Sequence, residues 1–401
     1  MFDRRGDAVP RRAVAVVFLV LGATAGTWAA RIPAVKDHLH LSAGTLGLCL
    51  LGPAVGSMVA MPAAGAVLAT LAPRRVVQFG LLLVIGLLPL TVVASSPWQL
   101  FAVLTGWGVG AGLVDVGMNT EAAAVEARLG RRTMSSFHAA YSLGGLIGAG
   151  LGGVVAAAGV SAGRHFLIAA PVLLLVGLAG AGAFASQAVV ARVAAAAHDG
   201  VRSRWPQWSW TLMALAAMAF ACFLVEGAAN DWGAVYLHSS LGASAGLAAI
   251  AYAAFALTMT AGRLAGDRLA ERVGPVRLVR VSTGAAAVTF AVALVVGRIW
   301  SGLVAFAILG AGVSFVVPLV FTAASRLGRP GPNLATVASC GYFGMLVGPA
   351  IVGGLAQAVG LPAALGTVAV LSAVTALLAG AVGTRPGVAT AVAGSEAVLV
   401  E

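Results

Sequence analysis

Polar side chains interrupt the hydrophobic segment 106–126, which is too apolar for an ordinary soluble helix. At 100° per residue, Glu121 points away from the other polar residues of this segment. In lipid, a polar face must point at protein or water, so we predict that this helix lines a solute path. The stripe that would line the path contains Gly108, Gly112, Asp115, Asn119, Ala122 and Glu126.

Asp115 is the first candidate for proton coupling, because a carboxyl group deep in a bilayer costs about 3 kcal/mol on insertion scales. A carboxylate that faces each side of the membrane in turn could take up and release a proton. The alternative is a structural carboxylate satisfied by a neighbouring helix. Asn119, one turn later, could contact a sugar hydroxyl or join two helices. Glu126 is expected to be solvated or paired with an arginine, and Glu121 to be structural.

The next hydrophobic segment places His138, Tyr141 and Ser142 on one helical face. Histidine changes charge near neutral pH, so His138 could relay a proton, or it could form a hydrogen bond between helices. Tyr141 and, far along the chain, Tyr342 are candidate substrate-binding residues.

Glu226 is the candidate for proton coupling in the second half of the chain. It shares a helical face with Cys222 and Asn230, and Asn230 is a candidate substrate ligand. Because we place Glu226 near the outer end of its helix, it is either a coupling site or a solvated residue at the mouth. Asp231 and Trp232 are expected at the membrane interface, where tryptophan is enriched.

Arg31 and Trp28 lie near the end of the first hydrophobic segment. Arg31 could hold an anionic substrate, pair with an acid such as Glu226, or extend to the outer surface as long basic side chains do. Trp28 could stack on a sugar ring or simply pack between helices.

The sequence carries no signature of an enzyme. It contains no P-loop motif, no HExxH and no CxxC. Its three cysteines stand singly in apolar segments, as buried cysteines do. We therefore predict no catalytic residue, no metal site and no cofactor.

Composition indicates an integral membrane protein. Of the 401 residues, 60% are hydrophobic and only 9% are charged, and apolar runs of about 20 residues recur along the chain. We predict an all-α protein of twelve transmembrane helices, with Pro318 kinking the tenth. Their approximate ranges are 12–33, 44–70, 76–95, 98–127, 134–158, 164–186, 208–230, 243–268, 276–297, 299–325, 332–358 and 361–383.

The basic residues predict the orientation of these helices. With the N-terminus in the cytoplasm, twenty of the 24 lysines and arginines fall on the cytoplasmic side, whereas Arg31, Lys36, Arg164 and Arg298 fall outside. This bias places both termini in the cytoplasm. It also explains the net charge of +11 without a nucleic-acid partner.

The two halves of the chain echo each other. Six residues of the fifth helix recur 200 residues later, in the eleventh, which indicates duplicated halves. They are Gly144, Leu146, Gly148, Gly153, Ala156 and Ala158. We predict two pseudo-symmetric six-helix bundles, 1–186 and 208–383. A cytoplasmic loop (187–207) joins them, and a disordered cytoplasmic tail (384–401) follows.

This arrangement resembles the major facilitator superfamily, whose signature after helices 2 and 8 reads roughly G-x-x-x-D-R-x-G-R-R. The copy after helix 8 matches at Glu271, Arg272 and Gly274, and the copy after helix 2 matches at Gly65 and Arg74. The stretches GTWAARIP, DVGMN, MSSFHAAYSLGG and EGAANDW resemble uncharacterised bacterial inner-membrane proteins related to the fucose permeases. In those permeases the acid of helix 4 takes part in proton-coupled sugar uptake, which the resemblance implies for Asp115.

The sequence therefore favours a secondary transporter of the bacterial inner membrane. We expect a monomer in the lipid bilayer, with protons and a small polar, sugar-like molecule as its ligands and alternating access as its mechanism. Two alternatives remain open. One is an exporter of hydrophobic compounds in the same fold, and the other is a membrane sensor without transport, in which Asp115 is locked in a fixed pair.

Overall fold

The computed structural model describes residues 8–68, 70–129, 133–184, 208–327 and 330–383. Twelve of the described helices or helix pairs are long and apolar enough to cross a membrane, which confirms the predicted helix count. The predicted central loop (187–207) and tail (384–401) lie outside the described residues.

Seven of the first eight α-helices form the first six membrane spans, and the second helix lies between the first and second spans. A 3₁₀ turn, Leu88–Val92, extends the fifth of the eight helices. The helices are α1 (Ala8–Ala29), α2 (Ile32–His38), α3 (Ala43–Cys49), α4 (Gly52–Leu68), α5 (Pro73–Gly86), α6 (Pro97–Leu129), α7 (Met134–Ala157) and α8 (Ala162–Gly182).

Eight further α-helices form the last six spans. The first is extended by a π-helical turn, Tyr236–Ser240, and the last by a 3₁₀ turn, Ala379–Gly383. The helices are α9 (Trp210–Val235), α10 (Ala245–Val273), α11 (Pro275–Val296), α12 (Ile299–Val313), α13 (Val316–Ser325), α14 (Pro330–Val359), α15 (Leu361–Ala364) and α16 (Gly366–Leu378).

Local sequence explains where many of these helices begin and end. Five of them follow a serine whose hydroxyl accepts a hydrogen bond from the backbone N–H three residues on, which satisfies one free donor of the first turn. These serines are Ser42, Ser96, Ser161, Ser209 and Ser244. Gly274, between α10 and α11, has a φ of +82°, a conformation that glycine adopts without steric cost.

Pro318 breaks the tenth span, although the break lies upstream of the proline. Helix α12 ends at Val313 and α13 begins at Val316. A proline ring clashes with the carbonyl four residues earlier, which here belongs to Ser314. The predicted kink is therefore present, one helical turn before the residue that causes it.

Two predicted boundaries are wrong. The first span ends at Ala29, and the segment predicted to be an outer loop, with Lys36 and Asp37, is helix α2. The seventh span does not end near residue 230 but continues through α9 and its π-helical turn to Ser240. Glu226 consequently lies in the middle of this span and not at its outer end.

Glycines bring the helix backbones into direct contact. A Cβ atom at Gly22 or Gly26 of α1 would overlap a carbonyl oxygen of α7, and one at Gly144 would overlap a carbonyl of α1. Lipid provides no hydrophobic drive for helix association, so close packing of this kind supplies much of the stability.

The first six and last six spans contact each other along α7 and α10, and between α3 and α14 at one end of the bundle. We call the end where α1 ends and α2 lies the distal end, and the opposite end the proximal end. At the distal end α14 packs closely on α3, where Gly47 faces the backbone of Gly353. Helix α14 touches α4, the proximal part of the same span, in few places.

The glycine contact between α1 and α7 gives a test of this packing. Gly26→Ala should lower the melting temperature of the purified protein, because its Cβ has no room and overpacking costs about 1–3 kcal/mol. Gly150→Ala is the matched control, since a Cβ at Gly150 of α7 meets no atom within 4 Å. Equal melting temperatures for the two variants would contradict the contact.

Candidate functional site

An ion pair and a hydrogen bond join three spans near the middle of the bundle. Arg263 of α10 donates from Nη2 to Glu226 Oε1 of α9 at 3.0 Å. The same guanidinium donates from Nη1 to Ser142 Oγ of α7 at 3.2 Å. Because α7 belongs to the first six spans, Arg263 connects the two groups of helices directly.

Arg263 was missed as a site residue and wrongly counted among the arginines on the cytoplasmic side, although it falls within the predicted eighth helix (243–268). It lies within the span Ala245–Gly266, where its side chain is 26% exposed. The polar residues that follow Arg263, up to residue 272, made it look like part of a cytoplasmic segment. The periodicity of α10 continues to Val273, and ten residues of helix, about 15 Å, separate Arg263 from that end.

Asp115 lies in the middle of α6, partly buried, and its recorded hydrogen-bond partner is a neutral amide. Asn119 Nδ2 donates to the Asp115 carboxylate at 3.1 Å and to its backbone carbonyl at 2.8 Å. Among the described residues, Asp115 forms no ion pair. The carboxylate at this position is therefore not neutralised by a fixed cation.

The predicted stripe on α6 has two functions rather than one. A Cβ atom at Gly108 would overlap Pro53 of α4, and Gly112 packs against Ala60. This part of the stripe is a contact between helices and not the wall of a path. Only the partly buried Asp115 and Asn119 remain available for a solute.

Three tyrosines connect Asp115 with the ion pair electrostatically. Tyr141 of α7 lies within electrostatic range of Asp115, Glu226 and Arg263. Tyr342 of α14 lies within range of Asp115, and Tyr252 of α10 within range of Glu226 and Arg263. We call the eight residues of this region the central polar cluster, namely Asp115, Asn119, Tyr141, Ser142, Glu226, Tyr252, Arg263 and Tyr342.

Tyr252 is a further residue that the sequence did not reveal. A Cβ atom at Gly145 of α7 would lie 3.1 Å from the Tyr252 hydroxyl, so this glycine makes room for the tyrosine. The pairing depends on which helices adjoin and leaves no local pattern in the sequence.

His138 and Asn230 lie on helices of the cluster but have other neighbours. The exposed His138 ring contacts the edge of Phe18, with ring centroids 5.3 Å apart, and lies within electrostatic range of Arg263. Asn230 donates to the Asp231 carboxylate at 2.7 Å. Trp232, which was expected at the membrane interface, is instead completely buried among the helices. The interface prediction failed because α9 continues beyond it.

Arg31 and Trp28 lie apart from the central polar cluster. Arg31 is 4% exposed and does not extend to the surface. It donates from Nε to His165 Nδ1 at 3.2 Å and from Nη2 to the Val160 carbonyl at 3.0 Å, so the suggested pair with Glu226 is not formed. Burial lowers the pKa of Arg31 from its ordinary value. Trp28 is buried in an apolar cluster, in accord with a packing role.

The two remaining acids of α6 act on the protein itself. Glu126 accepts hydrogen bonds from the backbone N–H groups of Thr133, at 2.6 Å, and Met134, at 2.9 Å, and so caps the first turn of α7. Glu121 is fully buried and lies 3.6 Å from Arg128, which confirms its structural role.

The predicted inner-loop signature lies at the proximal end. Arg74, Glu271 and Arg272 are exposed, and within the described chain they form no ion pair. Gly65 lies in α4, and Gly274 makes the turn between α10 and α11. Across the described residues, no group of three or more His, Cys, Asp or Glu side chains is arranged to hold a metal ion.

Comparison with known proteins identifies the family. The family model described as Major Facilitator Superfamily matches residues 13–333 and 234–398. An uncharacterised MFS-type transporter of Yersinia pestis is 34% identical over 344 residues, which cover 85% of this chain and 88% of the relative. The chain therefore belongs to the major facilitator superfamily and is a multi-pass membrane transporter.

Solved structures share the fold. The nucleoside transporter NupG has a TM-score of 0.68 at 14% identity, covering 93% of this chain and 98% of that one. A bacterial homologue of the human lysosomal transporter Spinster, in an inward-facing and occupied conformation, also has a TM-score of 0.68 at 14% identity, with 95% and 97% covered.

A double-mutant cycle tests the ion pair. Arg263→Gln should destabilise the protein, because hydrogen bonds to charged groups contribute about 1.5–3 kcal/mol and Glu226 would remain partly buried without its cation. Adding Glu226→Gln should restore part of the loss, with a coupling energy of about 1 kcal/mol or more in unfolding measurements. The exposed pair Glu271→Gln and Arg272→Gln is the control and should be additive. Additivity at Glu226 and Arg263 would contradict the pair.

Proposed function

We propose that this transporter is proton-coupled and moves a small polar solute across the bacterial inner membrane by alternating access. The observation that carries the proposal is Asp115, a carboxylate in the middle of a span with a neutral amide and no cation beside it. Such a group is expensive to keep charged in a membrane, so protonation and solute binding can both change its state.

The composition of the central polar cluster supports a polar solute. Hydroxyl and amide groups on α6, α7, α10 and α14 can both donate and accept hydrogen bonds, as a sugar-like molecule requires. The cluster contains two acids, Asp115 and Glu226, and a single arginine, which is paired with Glu226; this balance disfavours a strongly anionic solute. The shared fold of NupG, described as a nucleoside transporter, agrees with a solute that carries hydroxyl groups.

Each ionisable group of the cluster has a separate role in this proposal. Asp115 binds the coupling proton, whereas Glu226 is held by Arg263 and becomes available to a proton or a solute only when that ion pair opens. His138, exposed and near Arg263, relays protons toward the pair. Asn119, Tyr141 and Tyr342 would contact the solute. Asn230, engaged with Asp231, would serve at the edge of the site.

The distribution of contacts supports alternating access. The two groups of six spans touch closely at the distal end and less at the proximal end. With both termini in the cytoplasm, the structure corresponds to an inward-facing state, as the Spinster homologue is described. This orientation depends on the excess of basic residues on the cytoplasmic side. The excess remains when Arg263 is no longer counted there.

The two alternatives predict different properties. A sensor would hold Asp115 in a fixed ion pair, and the described residues contain no such pair. An exporter of hydrophobic compounds would bind drugs in preference to sugars.

A thermal-shift screen of sugars, sugar acids, nucleosides and drugs on the purified monomer separates the two kinds of solute. Bound ligand raises the melting temperature by mass action. A shift given only by hydrophobic drugs would replace the polar-solute proposal with the exporter.

Replacement of Asp115 tests proton coupling. In proteoliposomes with the solute found by the screen, Asp115→Asn should reduce proton-driven accumulation by at least tenfold, because an amide cannot take up and release the proton. Solute exchange without a gradient should persist, since Asn119 and the tyrosines remain.

Arg298→Gln, at an exposed position outside the spans, is the control and should accumulate solute normally. Unchanged accumulation in Asp115→Asn would remove Asp115 from the coupling mechanism.

A further inference from the structure

We propose that His238 and Asp37 form a proton-binding site in the distal closure, which binds a proton when the closure forms and loses it when the closure opens. The two residues come from different groups of spans and meet at 3.1 Å, between His238 Nε2 and Asp37 Oδ2. Asp37 lies in α2, and His238 lies in the π-helical turn after α9. The inference rests on the proposed alternating access, because it requires that the closure open.

The hydrogen bonds of His238 establish the proton count. Its Nδ1 lies 2.8 Å from the Ala243 carbonyl oxygen, which can only accept, so Nδ1 carries a hydrogen. A neutral imidazole then has no hydrogen on Nε2, and an ionised carboxylate has none either. The contact with Asp37 therefore needs one additional proton, whether Nε2 or the carboxyl group carries it.

Few other charged groups face this pair. Lys36 lies 4.0 Å from Asp37. The turn also packs on α9, on the start of α10 and on α15. Tyr236 and Asp231 are the titratable residues of that part of α9 and its turn, whereas residues 245–251 of α10 and Leu361–Ala364 of α15 contain none. Asp37 is therefore the carboxylate whose contact with His238 depends on a proton.

The pair lies beside the glycine contacts that close the distal end. Gly44 of α3 donates from its backbone to Gln357 Oε1 of α14 at 3.3 Å, and Gly153 of α7 packs against Gly246 of α10. Opening this end would have to separate α2 from the turn that carries His238. The hydrogen bond between His238 and Asp37 would then be lost. The additional proton would no longer be shared between Nε2 and the carboxylate.

The sign of the pH effect follows from this count. A state that binds more protons is favoured at lower pH, so acid in the distal solution stabilises closure and alkali weakens it. The side chains of His238 and Asp37 are 32% and 52% exposed, so they exchange protons with the distal solution even when closed. The site therefore does not carry a proton across the membrane; it adjusts the balance of conformations to the pH on that side.

Distances between spin labels measure the closure directly. Val93→Cys and Val295→Cys, at exposed positions near the distal ends of the third and ninth spans, are labelled in protein whose three native cysteines are replaced. Between pH 5 and pH 8, without solute or gradient, the ratio of closed to open protein should fall about two- to fivefold, as the loss of a partly exposed ion pair implies.

Variants separate the proton site from the rest of the mechanism. His238→Gln should abolish the pH response, whereas His38→Gln, an exposed histidine next to Asp37, should retain it. Both variants are measured in an Asp115→Asn background, so that the proposed coupling proton cannot contribute to the response.

Three results would contradict the inference. Two populations that do not respond to pH, or a wild-type response in His238→Gln, would overturn the proton site alone. A single distance under all conditions would overturn alternating access as well.

Discussion

Direct contact between helix backbones is the interaction on which the rest of this structure depends. In lipid, apolar side chains gain nothing by leaving their surroundings, so glycines that remove the space between helices supply much of the stability. The seams between α1 and α7, and between α4 and α6, are of this kind. By fixing the helices so closely, they also fix where polar side chains can meet.

The acidic side chains at these positions differ in the partners that they contact. Glu126 caps a helix, Glu121 faces Arg128, and Glu226 is held by Arg263. Asp115 is bonded only to a neutral amide in the described structure. The four acids look alike in a hydrophobic sequence, yet their partners separate three carboxylates that contact a cation or backbone N–H groups from one that is bonded to a neutral amide.

The central polar cluster and the distal closure are two different electrostatic contacts between the same groups of spans. Arg263 reaches from the last six spans to Ser142 within the membrane-spanning part of the bundle, where its side chain is 26% exposed and a lower local dielectric strengthens a hydrogen bond. His238 and Asp37 meet at the distal surface, where solvent weakens the attraction and lets protons exchange. Depth in the membrane therefore decides whether such a contact holds the halves together or responds to the surrounding solution.

The sequence by itself determined the class of protein, the number of spans and the prominence of Asp115. These follow from local properties, since the length and hydropathy of each segment and the spacing of polar residues are read without knowing the neighbours. The tertiary structure decided the partners. It moved Arg263 from the cytoplasmic end of its helix into the cluster, placed Glu226 at mid-span, buried Trp232 and joined Arg31 to His165. Partners on helices far apart in the chain depend on which backbones adjoin, and no local pattern records that.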